Sequence, residues 1–250
     1  MIRFLHDVPY LKEDANYSFP SPFLSTKEGI VCAGGNLSPG VVLSAYRQGL
    51  FPWFDDDSPL LWWSPDPRFV VLPETLHIPR SFAKELRRSR YTCTVDRSFS
   101  NVIDTCAGIR RKHQEGTWIL SSMREAYKLL HSLGYAHSVE VWENDILVGG
   151  LYGVSLGKAF FGESMFSLKP GASRVGFLSL ARFLFDSGFT FIDSQVHTDY
   201  VAAMGGVEIP RPRYLELLSE ALLLSNDHGV LSRMIGEFQT LNERPGKDPG

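Results

Sequence analysis

The stretch that decides the fold reads Ser138-Val139-Glu140-Val141-Trp142, then Glu143-Asn144-Asp145, Ile146-Leu147-Val148-Gly149-Gly150-Leu151-Tyr152-Gly153-Val154, Leu156-Gly157 and Ala159-Phe160-Phe161-Gly162-Glu163. Three runs rich in β-branched and aromatic residues alternate with short polar or glycine-bearing breaks, which predicts an antiparallel meander. Downstream, Val175, Phe177, Leu178, Leu180, Ala181, Phe183 and Leu184 recur at helical spacing between Ser173 and Asp186, and Gly188 supplies a stop. The next apolar run, Phe189 to Val196, predicts another strand.

Upstream of the meander, Ser122 and Glu125 form a capping-box pattern ahead of Tyr127, Leu129, Leu130 and Leu133. Ser98 or Ser100 starts a helix carrying Val102, Ile103 and Cys106, Tyr91 to Val95 reads as a strand, and Pro79 opens a basic helix through Arg88. The first seventy residues are rich in turn formers and aromatics, with one short helix capped by Ser38 and started by Pro39. Pro65 and Pro67 mark a domain junction, and the polar stretch from Gln239 to Gly250 predicts a disordered tail. A meander feeding a helix and then a strand is the core order of the N-acyltransferase fold, in which acyl donor and amine acceptor meet where neighbouring strands splay. Such an order does not by itself establish that chemistry.

Of the 250 residues 44% are hydrophobic and 21% charged, which suits a globular protein with a substantial core. The formal net charge of -3 advertises no bulk field for nucleic acid. The basic residues are nevertheless concentrated. Arg80, Lys84, Arg87, Arg88, Arg90, Arg97, Arg110, Arg111 and Lys112 face only Glu85, Asp96 and Asp104 within the same segment. Such clustering is what a phosphate backbone would require, and it is also what a solvated helix face looks like. Three cysteines without a C-x-x-C pair argue against a disulfide framework or thiolate zinc site and fit a reducing compartment. With no apolar leader at Met1 to Asp7 and no apolar run of about 18 residues, the expectation is a soluble cytoplasmic protein with no membrane partner.

The standard catalytic motifs fail one by one. Gly162-Glu163-Ser164-Met165-Phe166 lacks the last glycine of a nucleophile elbow. Gly153-Val154-Ser155-Leu156-Gly157-Lys158-Ala159 has neither the glycine spacing nor the hydroxyl of a phosphate loop. The seven histidines form no close ligand pair, so no metal is expected. What remains is Phe191-Ile192-Asp193-Ser194-Gln195-Val196, where alternation puts Asp193 and Gln195 on one face of an apolar strand. The simplest arrangement has the Gln195 amide nitrogen donating to the Asp193 carboxylate, leaving its carbonyl oxygen to accept from an incoming amine. Alternatively the pair only caps neighbouring backbone groups.

Further motifs appear in order: Gly34-Gly35-Asn36-Leu37-Ser38-Pro39, Ala45-Tyr46-Arg47-Gln48-Gly49-Leu50-Phe51-Pro52-Trp53-Phe54, Trp62-Trp63-Ser64-Pro65-Asp66-Pro67-Arg68, Gly116-Thr117-Trp118-Ile119, His137 to Trp142, Gly149 to Val154, Phe161-Gly162-Glu163-Ser164-Met165-Phe166-Ser167 and Ile192 to Val196. From about Phe19 to Arg213 the chain closely resembles the bacterial leucyl/phenylalanyl-tRNA–protein transferase family. The resemblance implies an α+β chain: a small N-terminal α/β domain, residues 1–69, followed by an acetyltransferase-like (GNAT-like) domain with a mixed, largely antiparallel sheet, residues 70–238. It implies a cytoplasmic aminoacyltransferase that moves Leu or Phe, less readily Met, from aminoacyl-tRNA to the N-terminal Arg or Lys of proteins and marks them for degradation by the N-degron pathway. The place of the coenzyme A pyrophosphate signature reads Ala172-Ser173-Arg174-Val175-Gly176-Phe177, so no cofactor is expected.

Carried over by position, the catalytic pair falls on Asp193 and Gln195. The pocket for the donor side chain falls on Leu151, Phe160, Phe177, Leu180, Leu184 and Ile192, with Trp53 and Trp118 around the terminal adenosine. Leu151, Phe177, Leu180 and Leu184 differ from the residues usual in the family but stay large and apolar. Trp53 can stack an adenine or simply fill a core. Glu163, on the loop after the Phe160-Phe161 strand and next to the catalytic face, is placed to pair with the acceptor's cation or to hold Ser164 and backbone amides. With an anionic donor in view, Arg80, Lys84, Arg87, Arg88, Arg110, Arg111 and Lys112 become the expected tRNA surface. An acyl-coenzyme A N-acetyltransferase and a noncatalytic tRNA-binding module are the alternatives. Coenzyme A binding would favour the first, and full function without Gln195 the second.

Overall fold

A computed structural model describes residues 10–11, 18–79, 82, 91–109, 119–224 and 237–238. Two sheets organise the chain. The smaller has four strands in the order β1 (Tyr10–Leu11), β2 (Ile30–Gly34), β4 (Leu61–Trp63) and β3 (Phe51–Pro52). Between β2 and β3 runs helix α1 (Pro39–Arg47), started by Pro39, whose missing N–H is one that a first helical turn leaves unpaired anyway. Ser38 stands at its N-cap but makes no side-chain capping bond. Instead its backbone N–H donates to Asn36 Oδ1 at 2.9 Å, so a preceding turn governs the helix entry.

The larger sheet has eight strands in the order β11 (Gly206–Ile209), β5 (Arg68–Val71), β10 (Phe191–Asp193), β9 (Ala159–Ser167), β8 (Ile146–Leu156), β7 (Ala136–Glu143), β6 (Thr92–Val95) and β12 (Glu237–Phe238). The meander β7-β8-β9 forms as expected, and Asn144 and Asp145 turn its first hairpin with φ of 50° and 62°, the left-handed pair that a two-residue turn demands. Every pairing in this sheet is antiparallel except β9 with β10, which run parallel because helix α4 (Ala172–Asp186) carries the chain back between them. The α+β class and the mixed, largely antiparallel sheet are therefore as the sequence implied.

Helix α2 (Phe99–Gly108) and helix α3 (Ser121–Ser132) precede the meander, while α5 (Asp199–Ala202) and α6 (Arg211–Leu223) follow β10. α3 starts one residue before the capping-box pattern, with Leu120 at the N-cap and no side-chain cap. Ser122 lies inside the first turn and cannot cap it. Gly134, with φ of 79°, ends the chain's helical path as expected.

The sheet separates two apolar clusters. On one side α4 buries Val175, Phe177, Leu178, Leu180, Ala181 and Leu184 against Leu151, Phe160 and Ile192. On the other side α1, α2, α3 and α6 pack Tyr46, Val102, Tyr127 and Tyr214 with Tyr152, Phe161 and Phe191. Residues of the small sheet, Val31, Cys32 and Trp62 among them, belong to this second cluster, so the two sheets share a core. All three cysteines are free and buried. Among the described residues no helix is long and apolar enough to cross a membrane.

The sequence differs from the structure most at β10. The predicted strand from Phe189 to Val196 pairs only from Phe191 to Asp193. Its pairing with β9 ends at Asp193 opposite Phe161, while β9 runs on to Ser167. The two parallel neighbours thus part, and the chain after Asp193 turns away through Gln195 with φ of 56°. A left-handed conformation costs a residue with a side chain about 1–2 kcal/mol, which local hydrogen bonds must offset.

Candidate active site

Those hydrogen bonds begin with a buried ion pair. Arg68, the first residue of β5, aims its guanidinium at Asp193, the last of β10, with Nε donating to Oδ1 at 2.9 Å and Nη2 to Oδ2 at 2.7 Å. Both side chains are fully buried. The Tyr214 hydroxyl from α6 donates to Oδ2 at 2.8 Å, and Arg68 Nη1 reaches the Gly49 carbonyl at 3.3 Å. The guanidinium lies over the rings of Phe51 and Tyr214, at 4.8 and 4.4 Å from their centroids. Burial works against its charge, but Asp193 and Tyr214 outweigh that, so Arg68 holds its proton more tightly than usual. A two-pronged pair of this kind fixes β10 against β5 and leaves one lone pair of Oδ1 for another donor.

That donor is the backbone N–H of Gln195, at 2.9 Å. This corrects the expectation that Asp193 would hold the Gln195 side-chain amide. Asp193 instead accepts from the main chain two residues on, an Asx turn that stabilises the left-handed bend. The amide nitrogen of Gln195 points the other way, to Glu163 Oε1 at 3.4 Å. Asp193 is fully buried and meets Gln195 through the backbone, whereas Gln195 lines a cavity.

Glu163 sits within β9 rather than on a loop after it, as the extra residue of a β-bulge: Tyr152 pairs with Ser164 and Gly153 with Gly162, leaving Glu163 unpaired. Bulges re-aim a side chain out of the strand's alternation. Here the carboxylate meets two phenols, Tyr46 of α1 at 2.6 Å on Oε1 and Tyr127 of α3 at 3.0 Å on Oε2. The two phenol oxygens are themselves 2.5 Å apart. Burial lifts the Glu163 carboxyl from 4.5 to about 7, against the pull of the two phenols, with the Asp193 charge pushing it up and Arg68 holding it down. Burial and the Glu163 charge push both tyrosines well above the ordinary phenol range, so they stay protonated at neutral pH.

Where β9 and β10 part lies a cavity of about 280 Å³. Leu151, Phe160, Phe177, Leu180 and Ile192 form its apolar wall, and Glu163 and Gln195 its polar end, with Tyr152, Gly162, Ser164, Met165, Ser194, Thr198, Tyr200 and Val201 completing the lining. That volume is at the small end of the range for small-molecule sites, room for one side chain rather than a nucleotide. Seven predicted residues thus meet at one place. Leu184 is fully buried in the α4 cluster and does not line the cavity, because it falls further along the helix toward Phe189. Trp53 is not among the residues that line the cavity; its ring is 5.4 Å from that of Trp63, whose Nε1 donates to the Trp53 carbonyl at 2.6 Å. Trp118 and the basic residues Arg80, Lys84, Arg87, Arg88, Arg110, Arg111 and Lys112 lie outside the described residues. Arg97, from the same basic segment, stacks on Trp142 at 5.1 Å.

Sequence reasoning missed Arg68, Tyr46, Tyr127 and Tyr214. The signal for Arg68 was a cation opening the apolar strand Arg68-Phe69-Val70-Val71, a place where charge is tolerated only with a partner. Among the described residues no group of three or more His, Cys, Asp or Glu could hold a metal ion.

The parallel neighbours of a mixed α+β sheet part beside a small apolar cavity that has a carboxamide and a carboxyl at its polar end. Comparison with known proteins gives the family. Residues 70–219 match the family model described as leucyl/phenylalanyl-tRNA protein transferase, and residues 35–66 that of its N-terminal domain. The chain is 51% identical over 205 residues to the leucyl/phenylalanyl-tRNA–protein transferase of Anaeromyxobacter sp. (strain Fw109-5), covering 82% of this chain and 87% of the relative. It is 48% identical over 215 residues to that of Desulforapulum autotrophicum, covering 86% and 94%. A GCN5-related N-acetyltransferase from Kribbella flavida is distantly similar in structure, with a TM-score of 0.33 and 14% identity over 68% of this chain and 60% of the other. The chain belongs to the leucyl/phenylalanyl-tRNA–protein transferase family, whose members are aminoacyltransferases.

Proposed function

We propose that this chain transfers leucine or phenylalanine, and less readily methionine, from charged tRNA to the N-terminal Arg or Lys of a protein in the cytoplasm, marking it for degradation by the N-degron pathway. The observation that carries this reading is the meeting of a one-side-chain apolar cavity with Gln195 and Glu163 where β9 and β10 part. Family membership supports the same reaction.

The donor is an activated ester, so aminolysis requires neither a cofactor nor a covalent intermediate. The acceptor is the harder partner: an α-amino group has a pKa of about 7.7–8.0 and is mostly protonated at neutral pH. Gln195 receives it. With its nitrogen turned to Glu163, the amide presents its carbonyl oxygen as an acceptor that aims the amine's lone pair at the ester carbon. Asp193 contributes by holding the Gln195 backbone in its left-handed turn, and Arg68 by holding Asp193. The donor's side chain fills the space between Leu151, Phe160, Phe177, Leu180 and Ile192, with Leu184 behind them. Apolar walls favour Leu and Phe over polar side chains but separate neighbours in size by only about 1–3 kcal/mol, which admits Met.

Glu163 is the one carboxylate among the cavity's lining residues, and its charge favours a cationic N-terminal residue. Trp53 and Trp118 flank the terminal adenosine, and the basic segment from Arg80 to Lys112 holds the acceptor stem through phosphate contacts. On this reading residues 1–69 and 70–238 form the two domains, the second carrying the cavity and the first lending it Tyr46 and the Arg68 that opens β5. The test is transfer of labelled Leu or Phe from charged tRNA to peptides that begin with Arg or Ala. Label on the Arg peptide alone, lost in Gln195→Ala, is the expected outcome. Equal labelling of both peptides, or none while charged tRNA still binds, would overturn it.

A further inference from the structure

Tyr46, Tyr127 and Glu163 close a ring of three oxygen–oxygen hydrogen bonds: 2.5 Å between the phenols, 2.6 Å from Tyr46 to Oε1 and 3.0 Å from Tyr127 to Oε2. Each of them needs one proton. When Glu163 is ionised the two phenols supply two protons for three positions, so one pair of oxygens faces lone pair to lone pair. When Glu163 is protonated, three protons serve three positions and the ring is complete.

We infer that this ring is the proton acceptor of the transfer reaction, taking onto Glu163 the proton that the acceptor's α-ammonium must lose before its nitrogen can attack. The inference rests on the function proposed above. Geometry gives it access: Glu163 lines the cavity, and Gln195, which presents the amine, touches Oε1. The step balances. One N–H bond of the ammonium breaks as an O–H bond forms on Glu163. The freed lone pair bonds the ester carbon, the bond from that carbon to the ribose oxygen breaks, and the ribose oxygen takes the nitrogen's second proton. Products are an amide and a ribose hydroxyl, and Glu163 returns its proton to solvent.

The surroundings suit the exchange. Glu163 faces Tyr46 from α1, Tyr127 from α3 and Gln195 after β10, and it feels the charges of Asp193 on β10 and Arg68 on β5. Tyr152 from β8 packs on Tyr127 at 5.5 Å, and Tyr214 from α6 holds Asp193. Together they leave the carboxyl at about 7, within about one unit of an α-ammonium, where proton exchange is efficient.

The experiment compares two acceptor peptides, one with an ordinary N-terminal Arg and one carrying an aminooxy group in place of the α-amine, which is already unprotonated at neutral pH. Their kcat/KM is followed from about pH 5.5 to 9.5 with wild type, Glu163→Gln and Tyr127→Phe. Wild type is expected to give a rise for the amine peptide as Glu163 ionises and a plateau once the ammonium is lost, because a free amine attacks without the ring. Glu163→Gln should move the amine peptide's rise to the ammonium's own pKa of about 7.7–8.0, a loss of up to roughly tenfold below pH 7 that vanishes at higher pH, while the aminooxy peptide shows only the pH-independent change that losing the Glu163 charge gives both Arg peptides. Tyr127→Phe should move the rising limb to higher pH, since that phenol holds the carboxyl down. Equal losses for both acceptors at every pH in Glu163→Gln, or an unmoved limb in Tyr127→Phe, would overturn the ring's role and leave the transferase reading standing. Wild type that labels neither peptide would overturn both.

Discussion

Replacing Arg68 with methionine removes every cationic partner of Asp193 while keeping an apolar stem between Phe51 and Tyr214. Asp193 then keeps only the Tyr214 hydroxyl and the Gln195 N–H, and the Gly49 carbonyl loses the guanidinium. Breaking a buried pair by removing one side leaves an uncompensated charge and costs about 3–5 kcal/mol. For a chain of this size each kcal/mol lowers the melting temperature by about 2–4 °C, so a drop of roughly 6–20 °C is expected. Urea unfolding measures it directly. The double variant Arg68→Met/Asp193→Asn, in which no buried charge is left, should regain at least about 2 kcal/mol over Arg68→Met, because the two side chains act as one unit. A single-variant loss under about 1 kcal/mol, or a double variant no more stable than the single, would refute the view that this pair anchors β10 to β5.

Glu163→Gln should stabilise the fold at pH 8 relative to pH 5. A carboxyl raised from 4.5 to about 7 on folding adds stability at low pH that is lost as pH rises between those values, at most about 3 kcal/mol, and the glutamine does not titrate. Denaturation midpoints of both proteins at the two pH values check the sign. Phe177→Ala should widen the cavity and shift the Leu-to-Phe ratio of transferred amino acids by about 10–200-fold, read from kcat/KM with the two charged tRNAs. Replacing Arg87 and Arg88 with Gln should flatten the salt dependence of tRNA binding by about 0.7–0.9 in log–log slope for each phosphate no longer neutralised, measured by titration at several salt concentrations.

Period and turn chemistry made much of the fold legible. The meander, α4 and the glycine stops follow from alternation, helical spacing and left-handed turn residues, while Leu151, Phe160 and Ile192, which the family resemblance assigned to the pocket, lie on the face that α4 covers. What stayed hidden depends on departures from period. The bulge that turns Glu163 toward the phenols leaves no mark in an alternation count, and the bend at Gln195 cut short a strand that its composition would have extended. Arg68 and Asp193 stand 125 positions apart, and only the strand order brings them together. Tyr46 and Tyr127 read as ordinary apolar-face residues of two helices, since nothing local announces that both meet one carboxylate. The motif order singled out Asp193, Gln195 and Glu163, while the tertiary structure assigned their hydrogen-bond partners.

The central claim is that donor and acceptor meet where β9 and β10 part. A crystal structure of the chain with an amide-linked, nonreactive analogue of phenylalanyl-adenosine tests it most directly. The account predicts the phenyl ring between Phe160, Phe177 and Ile192, with the analogue's carbonyl carbon facing the amide oxygen of Gln195. An analogue bound with its ring elsewhere and this cavity unfilled would contradict it.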